Sequence, residues 1–141
     1  MPPPAPKAIL ETILYAEDLE TAESFYRDVL GFEVYARSPA RQVFFKLADQ
    51  MLLIFNPKAT VIPLPEGARF PVPPHGAVGE GHVCFAATAQ EIEDWKTRLE
   101  AAGIAIEAEF RWPSGGRSIY FRDPAGNCLE FAEANIWGFE T

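Results

Sequence analysis

The stretch Glu11-Thr-Ile-Leu-Tyr-Ala-Glu-Asp-Leu-Glu-Thr-Ala-Glu-Ser-Phe-Tyr-Arg-Asp-Val-Leu-Gly31 runs from a strand through a helix to a stop. Residues 8–15 are rich in apolar and β-forming side chains, which predicts a strand. From Glu17-Asp18 onward, Leu19, Ala22, Phe25, Tyr26, Val29 and Leu30 recur at steps of three and four, lining up one apolar helix face. Gly31 ends the helix, because a residue without Cβ takes the left-handed conformation at little cost. Three short strands are expected next, over 32–36, 42–47 and 51–55, with turns at Ser38-Pro39 and Asp49-Gln50.

The order then begins again. Residues 82–87 read as a strand. Thr88-Ala-Gln-Glu91 has the hydroxyl and carboxylate spacing of a capping box, and Ile92, Trp95, Leu99 and Ala102 form the helix stripe that Gly103 stops. Strands are expected at 104–110, 117–122 and 127–131, separated by Pro113-Ser-Gly-Gly116 and Asp123-Pro-Ala-Gly126. Glu11 and His82, Phe25 and Trp95, and Gly31 and Gly103 are each separated by 70 to 72 residues. Three matching offsets are the mark of a diverged internal duplication. Between the halves lies one long irregular stretch, 56–77, with six prolines and two glycines. A loop of that length in a compact domain is functional or a linker.

Composition bounds the rest. A chain of 141 residues, 48% hydrophobic and 23% charged, is one domain with material for a core, and is not a disordered tail. The net charge of −8 disfavours nucleic acid and anionic membranes and suits a cationic ligand. No apolar run spans a bilayer and no signal-peptide stretch precedes the first strand, so a cytoplasmic location is expected. Cys84 and Cys128 form no CxxC and indicate no disulfide framework.

The functional signal is charge inside apolar strands. Glu11 interrupts Ala-Ile-Leu-Glu-Thr-Ile-Leu, His82 opens Val-Cys-Phe-Ala, and Glu130 interrupts Cys-Leu-Glu-Phe. A buried carboxylate is costly unless paired or bound to a cation. Singly, each has a plain explanation: Glu11 facing solvent or paired with Arg117 or Arg122, His82 capping a strand, Glu130 facing water. Together, at matched places in a duplicated frame, they make a three-ligand set for one divalent ion, with positions left open for substrate. Two carboxylates and an imidazole do not distinguish Fe, Mn, Zn, Ni, Co and Mg.

Three segments carry a resemblance to a known family: the opening stretch 11–31, Gly81-His-Val-Cys-Phe85, and Tyr120-Phe-Arg-Asp-Pro-Ala-Gly-Asn-Cys-Leu-Glu-Phe131. Over roughly residues 8–133 the chain resembles the vicinal oxygen chelate superfamily, which includes glyoxalase I, extradiol dioxygenases and bleomycin-resistance proteins. The resemblance implies an α+β fold of two βαβββ modules whose curved mixed sheets form a metal cup, often completed by a homodimer. The modules would span about 8–56 and 79–133, joined by a Pro-rich linker and followed by a tail at 134–141. It places the ligands on Glu11, His82 and Glu130, with Glu11 where relatives often have His or Gln. The fourth ligand of glyoxalases would fall on Leu53 or Ile54, both apolar, and a basic residue of bacterial glyoxalase I is replaced by Tyr15.

The expected activity is therefore that of a divalent-metal enzyme chelating a small substrate through adjacent oxygens, for isomerisation, lyase or oxygenation chemistry. Glu130 and Glu11 would act at the metal, and His75, in a Pro-rich lid, would be an acid–base residue. Tyr15, Phe44 or Phe45, Phe55, Trp112 and Tyr120 would wall the cup, and Arg117 and Arg41 would hold a substrate carboxylate. Cys84 and Cys128 share strand parity with His82 and Glu130 and are expected to line the cup without ligating. The competing reading is a metal-free acidic protein of the bleomycin-resistance type that sequesters a cationic small molecule. A fosfomycin-type transferase rests on the shared frame alone. The apolar Ile136-Trp-Gly-Phe139 would pack on the domain or on a second copy.

Overall fold

The computed structural model describes residues 1–140. Two four-stranded sheets are each built in the order first, fourth, third, second strand of its half. The first half contains β1 (Glu11–Tyr15), α1 (Leu19–Ser24), β2 (Glu33–Ser38), β3 (Gln42–Lys46) and β4 (Met51–Phe55), with the sheet ordered β1-β4-β3-β2. A four-residue helix, α2 (Pro57–Thr60), interrupts the Pro-rich stretch, which was expected to be irregular throughout. Asn56 caps it by accepting from Lys58 N, and Pro57 supplies a preset first turn. The second half contains β5 (His82–Ala86), α3 (Ala89–Ala101), β6 (Ala108–Arg111), β7 (Arg117–Arg122) and β8 (Cys128–Ala132), ordered β5-β8-β7-β6.

The duplication is visible in atomic detail. The first strand of each half runs parallel to its last, while the other pairs are antiparallel. Ala16 N donates to Phe55 O in one half and Ala87 N to Ala132 O in the other, both at 2.9 Å. The stop glycines Gly31 and Gly103 have φ of 76° and 77°. The helices begin differently. Asp18 caps α1 by accepting from Thr21 N, whereas α3 carries the full reciprocal box between Thr88 and Glu91. A π turn over Phe25–Val29 continues α1, and both Phe25 and Tyr26 are buried in it.

Each sheet has one apolar face against the helices. Val43, Phe45, Leu52 and Ile54 of the first sheet and Ile119, Phe121, Leu129 and Phe131 of the second join Tyr26, Ile92 and Leu99 in one core. Full burial of each such side chain contributes roughly 1.5–3 kcal/mol. Polar links hold the halves in register. Tyr26 Oη donates to Asp123 at 2.6 Å, Asn127 Nδ2 donates to Tyr15 O at 3.1 Å, and Arg98 Nη2 donates to Asp28 O at 2.7 Å. Among the described residues, no helix is long and apolar enough to cross a membrane.

Candidate functional site

Strand alternation puts His82 and Cys84 of β5, Cys128 and Glu130 of β8, and Ser118 and Tyr120 of β7 on the face of the second sheet opposite the core. Register brings them into rows: His82 lies beside Cys128, and Glu130 lies between Cys84 and Tyr120. Glu130 is 5% exposed. Among the described residues no arginine pairs with it. Its Oε2 accepts from Ser118 Oγ at 2.5 Å, and its Oε1 lies 3.3 Å from His82 Nε2.

His82 is oriented from behind. Its Nδ1 lies 2.8 Å from Cys128 O, and a carbonyl only accepts, so Nδ1 carries the hydrogen. The Nε2 lone pair of the neutral ring therefore faces Glu130 Oε1. Two acceptors that close share either a hydrogen, carried on Nε2 or on Oε1, or a metal ion. Imidazole and carboxylate bonds to a dication run at about 2.0–2.2 Å, which sets two such ligand atoms on one ion roughly 3 Å apart. The pair fits a divalent ion as two of its ligands, and the carbonyl hydrogen bond on the far nitrogen is the usual support of a ligating imidazole.

The surroundings keep proton donors neutral. Burial, followed by the charge and hydrogen bonding of Glu130, pushes the Cys84 thiol up to about 12. Burial and then the Glu130 carboxylate push the Tyr120 phenol up to about 12. Tyr120 stacks on His82 with ring centroids 6.2 Å apart, and Phe110 stacks on Tyr120 at 5.7 Å. Trp112 packs edge-on to Phe110, and its Nε1 donates to Ser118 Oγ at 2.7 Å. Trp112 and Tyr120 thus border the His82–Glu130 pair on the β6–β7 side.

The corresponding face of the first sheet carries Glu11, Ile13 and Tyr15 beside Met51, Leu53 and Phe55. Phe44 packs edge-on to Phe55 at 5.5 Å. Leu53 faces Ile13 as Glu130 faces Cys84, so Leu53, not Ile54, occupies the fourth-ligand position. The Pro-rich segment returns over this face. His75 N donates to Thr60 O at 3.0 Å, His75 Nδ1 lies 2.6 Å from Tyr15 Oη, and the imidazole sits edge-on to Phe55 at 4.7 Å.

Two expectations are corrected, and a third residue stands apart from its expected partners. Phe45 is fully buried on the core face, 5.4 Å from the Tyr26 ring, so Phe44 holds the outward position. Arg117 has the core-face parity of Ile119 and is bound to Glu93 of α3 through Nη1, with Glu109 at 3.8 Å, so it does not stand over Glu130. Glu11 does not join His82 and Glu130 within one chain: among the described residues, no three of His, Cys, Asp and Glu assemble to hold a metal. Glu11 is instead exposed at the start of the edge strand β1. Arg41 lies in the turn entering β3, its carbonyl accepting from Asn56 N at 2.8 Å. Ser118 went unread in the sequence, although its parity with Tyr120 marked it.

The chain matches solved and characterised proteins along most of its length. A crystal structure of lactoylglutathione lyase from Agrobacterium tumefaciens superposes with a TM-score of 0.88 at 51% identity, over 95% of this chain and 98% of that one. The virulence protein STM3117 of Salmonella typhimurium is 30% identical over 86% of this chain and 80% of its own. Glutathione transferase FosA of Serratia marcescens is 28% identical over 83% of this chain and 74% of its own. Residues 8–131 match the Glyoxalase/Bleomycin resistance protein/Dioxygenase superfamily, and the chain belongs to that family.

Proposed function

We infer that the protein is a divalent-metal-dependent enzyme of the glyoxalase type, acting on a small molecule through two adjacent oxygens. The ligand set comprises His82 and Glu130 of one copy and Glu11 of a second. The observation that carries this reading is the His82–Glu130 pair, whose facing atoms, 3.3 Å apart, have the spacing of two ligands on one ion. Glu11 supports its second part. It stands on a sheet edge beside Ile9 and Leu10, which are 68% and 73% exposed, with Ile13 two positions along the same strand face. Apolar side chains that open at a sheet edge are normally covered by a partner.

A bound dication supplies Lewis acidity, polarising a substrate carbonyl or hydroxyl and favouring loss of a neighbouring proton. The chain's own groups do the remaining work. Ser118 and Cys128 fix the two ligands before substrate arrives, so no reorganisation is spent on them. Tyr120 stays protonated beside Glu130 and offers a hydrogen-bond donor to a substrate oxygen. Phe110 and Trp112 exclude water from one side. On the first-sheet face of the second copy, the hydrogen bond between Tyr15 Oη and His75 Nδ1 ties the Pro-rich segment to the sheet, and Phe44 and Phe55 form the apolar floor. Both lactoylglutathione lyase and glutathione transferase carry glutathione in their names. The apolar Leu53 and the uncharged Tyr15 favour a three-ligand site with a less anionic substrate.

Purified protein is expected to retain about one divalent ion per chain, measured by elemental analysis, and Glu130→Gln to lose it while staying folded. Mixing Glu11→Gln with Glu130→Gln chains should regain metal at one of the two sites of each mixed dimer. Metal-free wild-type protein that still binds a cationic small molecule would overturn the enzyme reading and favour sequestration.

A further inference from the structure

Glu130 is held by a hydrogen-bonded chain whose polarity is chemically forced. The Trp112 indole Nε1 is a donor only, so at 2.7 Å it donates to Ser118 Oγ. With one lone pair taken, the Ser118 hydroxyl hydrogen is directed at Glu130 Oε2, 2.5 Å away. Ser118 is fully buried and Glu130 nearly so. No rotation toward solvent competes with this arrangement. One lone pair of Oε2 is thereby taken, which orients the carboxylate so that Oε1 is the oxygen presented to His82 Nε2.

We propose that Ser118 is the positioning residue of the site: polarised by Trp112, it fixes the Glu130 carboxylate so that a divalent cation meets one oxygen only. The inference rests on the metal-dependent reading, but the chain itself exists without metal. Cooperative polarisation makes the second bond sensitive to the first. Trp112 is then also a reporter, since its indole hydrogen senses whatever happens to Glu130 two bonds away.

The test has two arms on the full-length protein. In the first, Zn²⁺ and Mn²⁺ are titrated calorimetrically into metal-stripped wild type, Ser118→Ala, Ser118→Thr and Glu130→Gln. Loss of an outer partner of a ligand typically costs 10- to 100-fold in metal affinity. Ser118→Ala is expected to lose about that much, and Ser118→Thr, which keeps the hydroxyl, to recover to within about threefold of wild type. Ser118→Ala binding like wild type, while Glu130→Gln does not bind, would overturn the positioning role and leave the enzyme reading standing. Wild type that binds neither ion would sink the enzyme reading.

The second arm needs no metal and covers a variant that folds poorly. The indole N–H resonance missing from Trp112→Phe identifies Trp112 among the three tryptophans. It should shift upfield both in Ser118→Ala and in Glu130→Ala, where Ser118 and its bond to Trp112 are untouched. A Trp112 signal unmoved by Glu130→Ala means that the chain is not connected, and the proposal fails.

Discussion

The Asp123 carboxylate takes four hydrogen bonds: Oδ1 accepts from Ala125 N and Asn127 N, and Oδ2 accepts from Asn127 Nδ2 and Tyr26 Oη. Three of these close the Asp123-Pro-Ala-Gly126 turn that carries the chain into β8 and so sets the height of Glu130. The fourth comes from the other half of the molecule. Tyr26→Phe removes only that one, leaving the carboxylate with three donors. A hydrogen bond to a charged group contributes about 1.5–3 kcal/mol, and urea unfolding should report a loss in that range. The same pair gives the protein an alkaline limit. Burial, and then the negative charge of Asp123, raise the Tyr26 phenol far above its ordinary value of 10.0. Above pH 10 the unfolded chain gives up this proton and the folded chain keeps it. The unfolded state then binds fewer protons, and stability falls as pH rises. Below pH 10 the contribution is fully present. Tyr26→Phe should flatten the decline between pH 10 and 11 relative to wild type.

Ala40 sets a test at the scale of the elements. It has φ of 67° in the tight β2–β3 turn, a region that costs a residue with a Cβ roughly 1–2 kcal/mol. Ala40→Gly relieves that strain and gives some back as unfolded-chain entropy, so a net gain of about 0.5–1 kcal/mol is expected in thermal or urea unfolding. In the other direction, Thr88→Ala removes the oxygen that accepts from Glu91 N and should cost about 1 kcal/mol. The elements also show what the sequence could and could not tell. The α3 stripe and its capping box were readable because Ile92 and Leu99 bury at helical spacing and Thr88 and Glu91 bond reciprocally. The Gln42–Lys46 strand was readable as a strand but not in phase. Val43, Phe44 and Phe45 are consecutive and apolar, so alternation gave no way to choose which Phe faces out, and only the packing on Tyr26 decides. Arg117 was misplaced for a related reason. It looks solvent-bound at a strand start, but the ladder to β6 begins there and its parity turns it toward Glu93. The short strand β6 begins only at Ala108, because Ile104 and Ile106 pack on the core before the ladder forms.

At the scale of the whole molecule, two facts fit one arrangement. Edge strands β1 and β5 pack against one another within the chain without a hydrogen-bond ladder, which leaves Ile9 and Leu10 exposed ahead of β1, and among the described residues the His82–Glu130 pair has no third metal donor. The charged interruptions Glu11, His82 and Glu130 stood out in the sequence because they break apolar strands. Their grouping did not: within the chain only His82 and Glu130 approach one another, and strand patterns carry no information about which faces meet. The expected solution state is a dimer of the 15.6 kDa chain. Ile9→Asp combined with Leu10→Asp, whose side chains are exposed just ahead of β1, should halve the mass seen by light scattering. If Glu11 comes from the second copy, the same variant should also lower metal occupancy.

The bonds that cross between halves reach further than stability. Each helix packs on its own sheet, Tyr26 on Phe45 and Trp95 on Phe131, but Tyr26 to Asp123, Asn127 to Tyr15, and Arg98 to the carbonyls of Asp28 and Val29 tie each half to the other. A half-length chain would leave the groups that make these cross-links without partners unless two copies associated. Tandem fusion made that pairing permanent and released the two segments from identity. One could then keep a carboxylate at Glu130 while its counterpart drifted to Leu53.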